Sequence, residues 1–490
     1  MRKLSFILLC IGFVIGLTSE ALSQRIVASL DLDRKEPRPL WFEYCKADKG
    51  LVTLSTLGTK NDKLISLIKY DAQFKRQWYK EIFENNDRKN IEHLAVLGNK
   101  IVVLVSEQFR KEDRKELYCY LYDLTGKPMQ NGASIFTLNG EDDDSNLMSY
   151  TLSINKKKLL LFERVHVHKK PSGSAQILIL DADTDEIKRA TVNLPANSDE
   201  LILKTVKITN EGDVILLSRL GKDERLKEKT DIKYRLSRYN APDYQAQHLS
   251  IEYDDVYITD LNLKPDRDGN LMLGGFFSNK NANLAGGVLF LKVERATHDI
   301  MIQNRQNFTK EFLANYLSPR QIERGRELND LYLDEMILRS DGGMLFIAEQ
   351  YYLSATTYRD IYGFWYNRNV YHFDDVVVFS LSPSGEMEWN SVVSKSQSGE
   401  TDTELSYLGL VGGEYLYILY RTKLKGLGMN IFVSRIEYDG KASHPEPFFD
   451  KISPNDIFYR SFSEQTSNDE AIIAYYTAKT KTFSLAKVVF

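Results

Sequence analysis

Eight short turns, each set between runs of β-branched, aliphatic or aromatic residues, recur along the chain at intervals of about 50 to 58 residues, with two longer intervals beside the sixth. They fall at Asp48-Lys49-Gly50, Gly98-Asn99-Lys100, Asn155-Lys156-Lys157, Asn210-Glu211-Gly212, Asp268-Gly269-Asn270, Asp341-Gly342-Gly343, Gly412-Gly413-Glu414 and Ser467-Asn468-Asp469. Gly, Asn and Asp tolerate the backbone angles of a tight reversal, so each reads as a hairpin. After each of the first seven hairpins comes a polar loop and then a second hairpin, as in DDVVVFSLSPSGEMEWNSVV, where Val376 to Phe379 lead into the Ser382 to Gly385 turn and a strand returns through Trp389. A chain built this way is all-β, in units of four strands.

The eighth unit has no second turn, because the sequence finishes on the strand Phe483 to Phe490. An unassigned strand, Arg25 to Asp31, stands at the opposite end. Pairing the two completes the last unit and removes the open sheet edges. The expectation is therefore a single β-propeller of eight four-stranded blades, or seven if the first or last unit is not a blade, closed by its own termini. The turn Asp266 to Asn270, followed by LMLGGFF, resembles the Asp-x-Asp-Gly-Asn turn of many bacterial propeller repeats. Asn210 to Leu217 and Arg339 to Ile347 resemble it more loosely. That resemblance implies a fold and no particular activity.

An outer-membrane barrel would alternate apolar and polar residues along every strand. The runs Ile101 to Val105, Leu159 to Phe162 and Ala471 to Tyr476 are instead continuously apolar, which suits strands covered on both faces. Stacked sandwich domains fit the even spacing less well. With 490 residues, 43% hydrophobic, the chain has material for a large core. Its 64 basic and 68 acidic side chains leave a charge of -4, which gives no general attraction to nucleic acid or acidic lipid.

Residues 1–23 have the order of an export signal: Arg2 and Lys3, an apolar run from Leu4 to Leu17, and Ala21-Leu22-Ser23 before the expected cleavage. The mature chain, 24–490, is then periplasmic or extracellular, with no integral membrane segment left. It keeps Cys45 and Cys119 on different units, which reads as two buried free thiols rather than a bridge.

Two stretches break the repeat: a helical insertion at 309–328 and an aromatic one at 351–373, with nine aromatic residues. In a four-strand meander both emerge on the same face of the ring. Tyr351, Tyr352, Tyr358, Tyr362, Trp365 and Tyr366 then form a candidate platform for a protein or glycan, or alternatively pack the helix onto its blade. Charged loop residues share that face, among them Arg110, Lys111, Arg114, Lys115, Lys169, Lys170, Lys222 and Arg421. They read as a solvated rim, or as a grip on an acidic polymer.

Acidic residues recur at the ends of the innermost strands. Asp255, Asp330, Asp334 and Glu404 are the candidates at a channel mouth, able to hold a cation such as calcium or to supply an acid and base pair for glycoside or lyase chemistry. Polar residues are also the ordinary way to begin a strand at a solvent-filled channel, and that is the preferred reading. His166 and His168 share one strand face without a third ligand, and the Asp266 turn has Leu271 where a calcium loop needs glycine. No nucleotide-binding, nucleophile-elbow or zinc motif is present. The first reading is thus a non-enzymatic exported propeller that binds a protein or glycan. The second is a polysaccharide-active enzyme.

Overall fold

The computed structural model describes residues 25–32, 39–57, 63–85, 88–139, 148–164, 172–184, 186–221, 233–359, 364–402, 405–424, 428–448 and 456–490. The export signal at 1–23, His166 with His168, Tyr362 and Glu404 lie outside the described residues.

Consecutive strands pair antiparallel into eight four-stranded sheets. Blade 1 begins with Pro39–Cys45, blade 2 with Lys89–Leu97, blade 3 with Met148–Leu152 and blade 4 with Leu201–Ile208. Blades 5 to 8 begin with Tyr257–Pro265, Leu331–Leu338, Tyr407–Gly412 and Ile457–Gln465. Blade 8 takes its fourth strand from the other end of the chain: Arg25–Leu32 pairs with Thr482–Val489 from Arg25 opposite Val489 to Leu32 opposite Phe483. This is an eight-bladed β-propeller whose closing blade is shared between the two ends of the chain.

Core packing shows the ring directly. Eight buried apolar clusters each join two successive blades, and the last joins blade 8 to blade 1 through Leu30, Tyr44, Leu51, Ile472 and Leu485. Second strands lie between two neighbours, so Leu271–Ser278 is buried at every residue. Fourth strands face solvent, as the largely exposed Gln245–Ile251 does. That gradient is why apolar runs mark second strands and polar alternation marks the fourth. Blades 5 and 6 approach so closely that a Cβ on Gly274 would sit 2.0 Å from the Phe346 ring. Cys45 and Cys119 are buried and free, and burial pushes both thiols up to about 12.

The innermost strands are not regular. One-residue bulges occur at Leu40, Glu92, Lys204, Thr259 and Asp334. A bulge turns a side chain out of the ladder, and here several turn toward the next blade. Glu92 accepts from the Tyr150 hydroxyl at 3.2 Å, Lys204 meets Asp260 at 3.2 Å, and Asp260 accepts from the Leu333 amide at 3.0 Å. Asp334 accepts from the Tyr407 hydroxyl at 2.8 Å and pairs with Arg460. These contacts make a polar belt tying blade to blade around the axis. No helix among the described residues is long and apolar enough to cross a membrane.

Candidate functional site

Blade 6 carries both departures from the repeat. Between blades 5 and 6, residues 309–328 hold two short helices, α1 (Lys310–Leu313) and α2 (Pro319–Glu323). The Thr309 hydroxyl accepts from the Phe312 amide at 3.2 Å, and the Gln321 side chain accepts from the Ser318 amide at 2.9 Å, so both helices start on side-chain caps. Phe312 is the anchor. It is 2% exposed and packs on Phe308 and Phe379 at ring distances of 4.9 and 5.2 Å.

Residues 351–373 extend the blade's own hairpin. Its second strand, Met344–Arg359, and third, Trp365–Leu381, stay paired well past the sheet, from Tyr351 opposite Phe373 to Arg359 opposite Trp365. The aromatic and β-branched residues in both arms, among them Tyr351, Tyr352, Thr356, Thr357, Val370 and Tyr371, favour such a ribbon. A register break between Glu349 and Tyr351 marks where it leaves the blade, and the short strand Gln397–Gly399 braces its base against Tyr371–Phe373.

The predicted aromatics divide along this ribbon. Tyr351 packs on Phe373 at 4.8 Å and Tyr332 at 6.1 Å. Tyr352 stacks on His372 at 4.4 Å with the rings nearly parallel, and His372 shares a 2.8 Å hydrogen bond with Ser354. Farther out, Phe364 and Trp365 are 66% and 67% exposed, and the Arg359 guanidinium lies 5.9 Å from the Trp365 ring. Tyr358 and Tyr366 are cross-strand partners in the backbone register. The helices are held by Phe312 and its neighbours, while the outer ribbon's aromatic surface stands in solvent.

A cleft of about 300 Å³ opens where helices and ribbon meet, lined by Tyr316, Arg326, Asp330, Tyr352 and Asp374 among others. Asp330 adopts the left-handed region at φ 59°, an uncommon and costly conformation for a residue with a Cβ. Its carbonyl accepts from the Tyr351 amide at 2.9 Å, fixing it to the ribbon base. Burial pushes the Asp330 carboxyl up. The Tyr352 hydroxyl is raised by burial and by the carboxylates of Asp374 and Asp330. Asp374 also accepts from the Ser396 hydroxyl at 2.9 Å.

Beneath the cleft runs a buried polar network. Lys395, whose side chain is fully buried, lies 2.6 Å from Glu349 Oε1 as an ion contact without hydrogen-bond alignment. It donates to Gln397 Oε1 at 2.8 Å and to the Phe373 carbonyl at 3.0 Å. The Ser406 hydroxyl donates to Glu349 at 2.6 Å. Through Phe373 and Gln397, this network ties the ribbon base into the seam between blades 6 and 7.

Of the four carboxylates expected at a channel mouth, the three described, Asp255, Asp330 and Asp334, lie in different surroundings. Asp255 is held in a two-pronged pair, at 2.9 and 3.0 Å, by Arg305 from the outermost strand of blade 5. Asp334 belongs to the belt, and Asp330 lies in the cleft. Among the described residues no group of three His, Cys, Asp or Glu is arranged to hold a metal ion. The Asp266 side chain accepts from the amides of Asp268 and Asn270 at 2.9 and 2.8 Å and pairs with Lys292 at 3.1 Å, an ordinary hairpin brace. On the charged rim, Arg114 is paired to Glu112 and Glu116, and Lys115 is buried 3.9 Å from Glu92.

Sequence reasoning missed Asp374 and Lys395. The pair Asp374-Asp375 standing before the Val376 run was a visible signal, since carboxylates rarely precede a buried strand without a partner.

No family model and no curated protein matches this sequence. Solved structures of similar fold include the Porphyromonas gingivalis dipeptidyl peptidase 4, at 11% identity over 91% of this chain with a TM-score of 0.44. This chain spans 59% of that protein's length. The WD40 domain of SCAP from fission yeast is similar at 10% identity over 96% of each chain, with a TM-score of 0.43. An oligogalacturonate lyase in complex with manganese matches at 11% identity over 90% of this chain and 96% of its own, with a TM-score of 0.39.

Proposed function

We propose that this chain is an exported binding propeller that engages a protein or glycan partner through the blade 6 ribbon and the cleft at its base. The observation that carries this reading is the outward extension of one hairpin, braced at its base and presenting Phe364 and Trp365 about two-thirds exposed. Large exposed rings on a rigid support are poor for solubility and good for stacking on a sugar face or anchoring in a partner's pocket. The cleft adds Asp330 and Asp374, which accept hydrogen bonds from hydroxyl or amide donors. A glycan array probed with the mature chain, together with cross-linking of protein partners through a photoreactive residue at position 365, tests it. Phe364→Ala/Trp365→Ala should lose at least tenfold in retention with an unchanged melting temperature. Equal retention by this variant overturns the assignment.

A second reading, acid and base chemistry on a glycan, is favoured by one observation: the raised Asp330 carboxyl shares a cleft with Asp374. It requires turnover that falls by orders of magnitude in Asp330→Asn, whereas the binding reading requires no turnover at all.

A further inference from the structure

A second cavity lies in the channel wall at the seam between blades 8 and 1, where the ring closes. It encloses about 440 Å³ and is walled by the rings of Trp41, Phe42 and Phe462 and the carboxylates of Glu43 and Glu464. The seam is opened by a wide bulge: blade 8's innermost strand pairs Tyr459 with Ala474 and resumes only at Glu464 with Ile472. This bulge is fixed, because the Ser463 hydroxyl donates to the Tyr459 carbonyl at 2.8 Å and accepts from the Ala474 amide at 3.0 Å. Phe462 is held from three sides by Phe42, Tyr459 and Phe483 at 6.1, 6.2 and 5.9 Å. The cavity is therefore a formed feature, walled by rings whose faces attract positive charge.

Its two carboxylates are unequally served. Glu464 is paired at 3.2 Å with Lys156, which reaches in from the first turn of blade 3. Glu43 has no ion-pair or hydrogen-bond partner among the described side chains. Burial and the adjacent Glu464 push it up to about 8, with Lys156 pulling weakly the other way. It is therefore mostly protonated at neutral pH, next to aromatic faces. Among the described residues the lining offers two carboxylates and no third His, Cys, Asp or Glu to complete a metal site. None of the described lining residues is cationic, and Lys156 is already engaged by Glu464, so nothing here holds an anion.

We propose that this cavity is an ammonium site, taking an organic ammonium group whose charge is met by Glu43 beside Glu464 and whose apolar stem lies against Trp41, Phe42 and Phe462. On binding, the Glu43 proton passes to solvent and the incoming cation takes its place. The group is supplied either by a free small amine or by the lysine side chain of a peptide. This site is independent of the blade 6 face.

Isothermal titration calorimetry on the mature chain tests it, with phenethylamine hydrochloride and N-acetyl-Ala-Lys-Ala-amide as probes. 2-Phenylethanol and the norleucine peptide serve as their neutral counterparts. At least one ammonium probe should bind and its neutral counterpart should not; which probe binds distinguishes a free amine from a peptide. With a linked proton near pH 8, affinity should rise on the order of twentyfold from pH 6.5 to 8.5, with proton release visible as a buffer-dependent heat. Glu43→Gln should lose at least tenfold and flatten the pH dependence. Glu464→Gln removes the neighbouring charge, so the pH midpoint should move lower, a readout that holds even if Glu43→Gln folds poorly. Binding of neither ammonium probe at millimolar concentration, equal binding of the neutral counterparts, or a pH-independent affinity overturns the proposal.

Discussion

Replacing Lys395 with Met removes the cation that, among the described residues, pairs with the buried Glu349 carboxylate, while keeping most of the apolar stem. Burial already pushes Glu349 up, and Lys395 and the Ser406 hydroxyl are what hold it down. Without the lysine, the folded chain keeps this carboxyl buried by protonating it. From an ordinary value of 4.5, that protonation costs about 1.4 kcal/mol per pH unit: at most ~4 kcal/mol at pH 7.5 and ~1.4 kcal/mol at pH 5.5. The first figure falls within the roughly 3–5 kcal/mol seen when one partner of a buried ion pair is removed. Because the raised carboxyl is stable when protonated, the variant's stability is retained at low pH and lost as pH climbs. Urea unfolding of the wild type and Lys395→Met at both pH values should show a deficit that shrinks by about 2–3 kcal/mol on acidification. Glu349→Gln/Lys395→Met should recover most of the loss. An equal deficit at both pH values would refute the reasoning, since it would mean the lysine contributes packing alone.

The remaining predictions concern the ring. Removing residues 25–31 strips the fourth strand from blade 8, takes Leu30 out of the seam cluster and exposes the Thr482–Val489 edge, so soluble yield should collapse. Native melting of that truncation would contradict closure by the termini. Gly274→Ala forces a methyl into the Phe346 ring and should cost about 1–3 kcal/mol in chemical denaturation. Cys45 and Cys119 should resist a thiol-specific reagent in the native protein at pH 8, and both should react in urea without reductant.

Local rules explain why so much of the architecture is readable. Several hairpins depend on residues such as Gly98, Gly212 and Gly269, which take positive φ and are visible in the sequence, and second strands on a run such as Leu159 to Phe162. Closure could be read because one strand was missing at one end and spare at the other. The site was less legible, because its geometry depends on bulges and on neighbours far apart in sequence. Asp334 meets Arg460 only because a one-residue slip turns it toward blades 7 and 8. Asp255 reads like the other strand-end carboxylates, yet Arg305, 50 residues later, claims it. The aromatic stretch was visible, but its form, a braced ribbon with Phe364 and Trp365 near its tip, follows from strand pairing that continues past the blade.

The most direct test of the account trims that ribbon, joining Leu353 to its partner Tyr371 through an Asn-Gly turn and leaving Glu349, Phe373 and Lys395 in place. Melting temperature and partner retention are then measured on the same preparation. The account predicts melting within a few degrees of wild type and retention lost at least tenfold. A trimmed protein that melts normally and still retains its partner would contradict it.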